Sequence, residues 1–130
     1  EAAKAAILKN FKRYWANPSY GEADNPGIYF KYSYGAVDFF MLDNRYHRDP
    51  SEFPEPAGRT MLGKRQKEWL RRGPAASRAP FKVLASGGGW STAEREPGGD
   101  SWAVYLSERN ESTRSEAYPY WLPLLEQPET

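Results

Sequence analysis

Residues 28–43 read Ile28-Tyr29-Phe30-Lys31-Tyr32-Ser33-Tyr34-Gly35-Ala36-Val37-Asp38-Phe39-Phe40-Met41-Leu42-Asp43, and this stretch decides the fold class. Its first half alternates with period two. Ile28, Phe30, Tyr32 and Tyr34 fall on one face of a strand, and Tyr29, Lys31 and Ser33 on the other. Gly35-Ala36 supplies a tight turn, with glycine free to take the positive φ that hairpin turns require. The second half, residues 37–43, is apolar apart from Asp38, the pattern of a strand covered on both faces. A β-hairpin is predicted.

Working outward, Ala3, Ile7, Leu8, Phe11 and Trp15 recur at three- and four-residue spacing and predict an amphipathic helix over residues 1–15. Asn17-Pro18 ends it, because the residue before a proline avoids helical geometry. The chain opens on Glu1 in the middle of this pattern, which suggests a piece of something longer. Downstream of the hairpin, the prolines and charges of residues 48–59 predict a surface loop. A second helix follows over residues 62–72, with Leu62, Gln66, Trp69 and Leu70 on one side and charges elsewhere; Gly73-Pro74 is expected to stop it. Its basic residues surround the helix and form no stripe with interleaved aromatics, so they read as a solvated face. Residues 81–86 predict a third strand, which runs into Gly87-Gly88-Gly89-Trp90. Residues 111–130 hold three prolines and an isolated apolar knot, Tyr120-Trp121-Leu122-Pro123-Leu124-Leu125, and predict an irregular tail. The fold class is α/β, in the order α-β-β-α-β, with one domain over residues 1–110 and the tail beyond it.

Composition narrows the chemistry. Eighteen Lys and Arg balance 17 Asp and Glu, so the chain has no field strong enough to gather nucleic acid or an anionic membrane. With no cysteine there is no disulfide frame, thiolate metal site or cysteine nucleophile. His47 is the only histidine, which excludes a site built from several imidazoles. No apolar run approaches the roughly 18 to 20 residues of a membrane span, and no secretory leader is visible.

Two segments could carry chemistry. Asp43-Asn44-Arg45-Tyr46-His47-Arg48-Asp49 follows directly on the apolar strand, and ligands of α/β sheets gather beyond the carboxyl ends of strands. Arg45 and Arg48 suit a phosphate group, because a planar guanidinium makes two parallel hydrogen bonds to neighbouring oxygens. If the backbone stays extended, Asp43, Arg45 and His47 point one way and Asn44, Tyr46 and Arg48 the other. The competing reading is structural: Asp43 pairs with Arg45 or Arg48 and anchors the loop, and His47 is an ordinary loop histidine. The second segment is Ser86-Gly87-Gly88-Gly89-Trp90, whose backbone amides could converge on an anion. It lacks the Gly-Lys-Ser/Thr ending of a phosphate loop and the spacing of a dinucleotide loop, so a flexible turn is the competing reading.

The order of segments is more specific than any one of them. Phe11-Lys12-Arg13-Tyr14-Trp15-Ala16-Asn17-Pro18-Ser19-Tyr20-Gly21, the run Gly35-Ala36-Val37-Asp38-Phe39-Phe40-Met41-Leu42-Asp43-Asn44-Arg45-Tyr46-His47-Arg48-Asp49-Pro50 and Thr60-Met61-Leu62-Gly63 resemble stretches of PhoD-like (alkaline phosphatase D) metallophosphatases. Gln66 with Trp69-Leu70, then Ser77-Arg78-Ala79-Pro80-Phe81-Lys82-Val83, continue the resemblance in the same order, and together it spans residues 8–110. Leu42-Asp43-x-Arg45-Tyr46-x-Arg48 is its most telling part.

The resemblance implies a hydrolase of phosphate mono- and diesters, working on a small phosphate ester with two metal ions (calcium, iron or similar) that polarise the phosphoryl oxygen and supply a hydroxide. It also implies two packed mixed sheets with flanking helices, in a family whose members are commonly exported. The family's Asp- and His-rich metal-ligand motifs match no residue here. The expectation is therefore a fragment of the catalytic domain, inactive alone and binding no metal tightly. Asp43, Arg45, Tyr46, His47 and Arg48 would then be phosphate contacts or supports, with Ser86, Gly87 and Trp90 on a neighbouring loop. Two departures stand out: Pro74 where the family has an apolar helix residue, and the tail of residues 111–130, which is expected to be foreign to the family. A non-catalytic module whose aromatics bind carbohydrate or protein is the alternative, and exposed Tyr and Trp would favour it. A small hydrolase built on Ser86 or His47 is a third reading, which no nucleophile-elbow pattern supports.

Overall fold

The computed structural model of the chain describes residues 2–51, 56–89 and 101–113. Along them run helix α1 (Ala2–Tyr14), strands β1 (Phe30–Tyr34) and β2 (Val37–Met41), helix α2 (Gly63–Ala76), strand β3 (Phe81–Ala85), a 3₁₀ turn at Trp102–Val104 and helix α3 (Leu106–Thr113). The chain is mixed α/β, and its strands form one three-stranded sheet in the order β1-β2-β3.

The hairpin forms as its sequence predicts. β1 and β2 pair antiparallel with Tyr34 opposite Val37, and Gly35 takes φ +56° between them. α2 then carries the chain back so that β3 lies parallel to β2, with Val37 beside Phe81 and Met41 beside Ala85. A helical crossover is the usual way to join parallel strands.

α2 covers one face of the sheet. Gln66, Leu70 and Pro74 are its buried residues, at four-residue spacing. Phe40 of β2 is fully buried and meets Trp69 edge-on at 5.9 Å. The approach is close enough that a Cβ on Gly73 would lie 2.7 Å from the Phe40 ring, so this helix position must be glycine. Leu42, Met61, Leu62, Leu70, Trp102, Val104 and Tyr105 form the core beneath. Each large side chain buried there contributes roughly 1.5–3 kcal/mol.

Three expectations are corrected. First, β2 is not covered on both faces: Asp38, Phe40 and Leu42 face α2 and are buried, while Val37, Phe39 and Met41 are only partly covered. The pleat and register place Phe30, Tyr32, Tyr34, Val37, Phe39, Met41, Phe81, Val83 and Ala85 on one apolar face that no described element covers. On it Tyr32 stacks on Phe39 at 4.7 Å, and Phe81 is 65% exposed. Second, Gly73-Pro74 does not end α2, which runs on to Ala76. Pro74 lies on the buried face, where its packing offsets the lost hydrogen bond to the Leu70 carbonyl. Third, the tail expected to be irregular from residue 111 onward starts helical. Trp102, Val104 and Tyr105 enter the core on the 3₁₀ turn, and α3 carries the chain into residues 111–113. The apolar knot Tyr120-Trp121-Leu122-Pro123-Leu124-Leu125 lies outside the described residues.

α1 docks by one edge. Leu8 is its buried residue, and Ile7 and Trp15 stay 69% and 62% exposed. The apolar stripe expected from the sequence is therefore mostly open. Among the described residues no helix is long and apolar enough to cross a membrane.

Candidate functional site

β2 ends at Met41, and two residues later Asp43 sits 1% exposed at the start of a turn. Its carboxylate meets backbone amides on both oxygens. Oδ1 accepts from the N–H groups of Arg45 (2.8 Å) and Tyr46 (3.0 Å), and Oδ2 accepts from that of Ile28 (2.8 Å). Aspartate favours turns because its short side chain can capture amides two and three residues on. The backbone therefore bends at Asp43, and the alternation expected of an extended segment does not hold: Asn44 is buried with Asp43, and Arg45 is exposed. The partners of the carboxylate are amides, where the sequence suggested Arg45 or Arg48.

The Asp43 backbone is fixed as well. Gln66, fully buried on α2, accepts from the Asp43 N–H through Oε1 (2.8 Å) and donates from Nε2 to the Asp43 carbonyl (2.9 Å). Its Nε2 also donates to the Leu62 carbonyl at 3.1 Å. Glycine 27 closes the other side, since a Cβ there would lie 3.0 Å from the Tyr29 ring and 3.1 Å from Asp43 Oδ2. Below it, burial raises the phenol pKa of Tyr29, whose hydroxyl accepts from Asn25 (2.8 Å) and donates to Glu22 (3.1 Å).

His47 lies at the far end of the turn. Its Nε2 donates to the Pro26 carbonyl at 2.7 Å, and its ring meets Tyr46 edge-on at 5.0 Å. A Cβ on Gly63 would fall 2.9 Å from that of His47, and Gly63 has φ +74°, so both space and backbone require glycine at the first residue of α2. Arg48 is half-buried beyond it.

The second predicted segment is brought against the first. Ser86 Oγ accepts from Asn44 Nδ2 at 2.8 Å and from Trp102 Nε1 at 3.1 Å, and donates to the Gly88 carbonyl at 3.2 Å. One hydroxyl thus ties the Asp43 turn, the end of β3 and the 3₁₀ turn. Asn44 Oδ1 is buried there, with no hydrogen-bond partner among the described residues. Among the described residues no base bonds Ser86. Gly87 follows in open space, and Trp90 lies outside the described residues.

Sequence reading missed Gln66 and Asn44 as site-builders. The signal for Gln66 was present: a glutamine on the apolar side of an amphipathic helix is buried and must find partners. Asn44 carries no such mark, because its partner is 42 residues away.

A two-metal centre does not fit the residues described. No three His, Asp or Glu side chains converge among them, both Asp43 oxygens accept backbone amides, and His47 Nε2 bonds Pro26.

Comparisons with known proteins bear on this geometry. The model of the PhoD-like phosphatase family matches residues 4–119. A solved structure described as "Structure of PhoD" aligns with a TM-score of 0.59 at 26% identity, covering 83% of this chain and 24% of that one. The chain thus spans about a quarter of that protein's length. A search of curated proteins found no match.

Proposed function

The chain belongs to the PhoD-like phosphatase family, and from that premise we propose that it forms part of the catalytic domain of a metal-dependent phosphatase or phosphodiesterase. Its substrates are phosphate esters, and the turn that begins at Asp43 stands beside the phosphate. The observation that carries this reading is the division of labour in the turn. Asp43 is occupied by three amides, and the cation Arg45 stands exposed beyond the carboxyl end of β2. Strand ends of α/β sheets are where ligands bind, and guanidinium groups recognise phosphate. Tyr46, His47 and Arg48 complete the turn, and the Ser86-Gly87 segment, tied to it through Asn44, forms the neighbouring loop that leads to Trp90.

The ions belong to the complete enzyme, held by groups outside these 130 residues, and this chain is inactive alone. Residues 4–119, which the family model matches, are the family part of the domain, and they run past the boundary at residue 110 expected from the sequence. The open apolar face of the sheet supports a two-sheet sandwich, in which a second sheet would cover Phe39, Met41 and Phe81. The test is hydrolysis of p-nitrophenyl phosphate and its bis-ester, with and without added divalent ions, by this chain and by one extended to the full family domain. Activity in the longer chain alone, reduced by Arg45→Gln, is the expected result. Stoichiometric binding of two cations and ester cleavage by the 130-residue chain itself would refute it.

One observation favours the alternative of a non-catalytic binding module: Tyr34 and Phe81 are 79% and 65% exposed on a flat apolar face. That reading predicts no hydrolysis by either chain.

A further inference from the structure

The residues on the open face of the sheet are all uncharged, because Lys31, Asp38 and Lys82 fall on the alternate positions, which face α2. Tyr34, Phe81, Val83 and Tyr32 stand 79%, 65%, 40% and 37% exposed there. At roughly 200 Å² for a fully exposed aromatic side chain, the three aromatics leave about 350 Å² in water, and their partly covered neighbours bring the patch to on the order of 500 Å². That lies in the upper part of the range a soluble monomer leaves open. The register also gives the face a slope. Phe30, Met41 and Ala85 form one row across it, and Tyr32, Phe39 and Val83 the next, so the face is thick along β1 and thin along β3. A copy turned over about an axis parallel to β2 sets Tyr32 on Val83 and Phe30 on Ala85, with the two Phe39 rings at the centre. Thick meets thin, and the face fits itself.

We infer that a second copy of this chain covers that face, in a two-fold dimer whose sheets stack about 10 Å apart. Charge favours a copy over an unlike protein. An unlike partner is selected by complementary charge, and this face offers none. The chain carries a net charge of only +1, so two copies repel little. Pairing through α1 is disfavoured, because Lys4, Lys9, Lys12 and Arg13 of one copy would meet their like on the other. About 500 Å² from each copy gives about 1,000 Å² in all, the lower limit for a specific interface, so the dimer is weak, with a dissociation constant on the order of 10–100 μM. The second copy and the second sheet of the proposed sandwich compete for one face. A longer chain that supplies its own second sheet is therefore monomeric, while the dimer of this chain does not depend on the phosphatase reading.

The test is sedimentation velocity of the full 130-residue chain from about 1 to about 300 μM, a range that brackets the expected constant. A reversible passage from the mass of one chain to that of two is expected. Phe81→Lys and Tyr34→Lys, both at exposed positions, should each weaken the dimer at least about tenfold by bringing charge into an apolar contact. Two positions are tested so that a variant that fails to fold leaves the other to decide. Ile7→Lys, on the exposed flank of α1, should leave the dimer unchanged. A monomer at every concentration overturns the inference. The dye 1-anilinonaphthalene-8-sulfonate then separates an open face, which brightens it, from one covered by residues 114–130, which does not. Growth beyond two copies also overturns it, since that marks pairing of open strand edges. So does a dimer that Ile7→Lys dissolves and both sheet variants spare. Sedimentation requires no turnover, so the readings fail separately: ester hydrolysis by the longer chain decides the phosphatase and leaves the dimer untouched.

Discussion

Replacing Asp43 by asparagine changes one oxygen into an NH₂ group and leaves the size of the side chain intact. Asparagine can keep its carbonyl oxygen toward the Arg45 and Tyr46 amides, but both bonds then lose their charged acceptor. A charge-assisted bond made neutral weakens by about 1 kcal/mol, so the pair loses about 2 kcal/mol. At the other position the new NH₂ faces the Ile28 N–H, donor against donor, and the unpaired amide costs about 1–3 kcal/mol more. With the residue 1% exposed, water cannot substitute. The expected loss is about 3 to 5 kcal/mol, a large part of the 5–15 kcal/mol typical of a domain. Urea unfolding followed by tryptophan fluorescence should show the midpoint falling by roughly 2 M at ordinary m-values. A loss below about 1 kcal/mol would refute the assignment of Asp43 as the scaffold of the turn.

Gln66→Leu keeps the volume but strips the Asp43 N–H and carbonyl of their partners, and should cost about 2–4 kcal/mol by the same measurement. Gly63→Ala forces alanine into a left-handed backbone with its Cβ 2.9 Å from that of His47. We expect a loss of about 1–3 kcal/mol and a displaced His47 imidazole resonance in NMR spectra. Asp38 gives a pH dependence. Lys31, then Ser33 and Ser77, hydrogen-bond its carboxylate and hold its pKa well below the usual carboxylate range. Because the folded-state value is depressed, this contribution is complete above the ordinary range near pH 4 and is lost as pH falls below it. Urea midpoints at pH 6 and pH 3 should differ more for the natural chain than for Lys31→Met; equal differences would contradict the role of Lys31.

The hairpin was legible because everything that specifies it is local: a glycine at the turn and a period of two beside it. Which face packs inward was less legible. Tyr29, Lys31 and Ser33 look like the outer face of β1, yet they share the side that α2 covers, where Lys31 and Ser33 meet buried Asp38. The more apolar side is the open one, so hydrophobicity alone points the wrong way. α3 was illegible for a different reason. Residues 106–113 read Leu-Ser-Glu-Arg-Asn-Glu-Ser-Thr, with one apolar side chain and no helical stripe. Long-range contact supplies what periodicity does not: Glu108 is 2% exposed and accepts from the Met61 and Leu62 amides and the Thr60 hydroxyl. At the site, the polar cluster after β2 was visible, but its bend was not. An extended reading assumes that side chains leave the backbone alone, and Asp43 does not.

The contact made by Glu108 has a consequence in time. α2 begins at Gly63, and the amides just before it are satisfied by a carboxylate that enters the chain more than 40 residues later. A ribosome adding about 5–20 residues per second leaves those amides to solvent for several seconds while the hairpin is already complete. Nascent chains that stop short of residue 108 should therefore fray at the start of α2, and a few residues more should lock it.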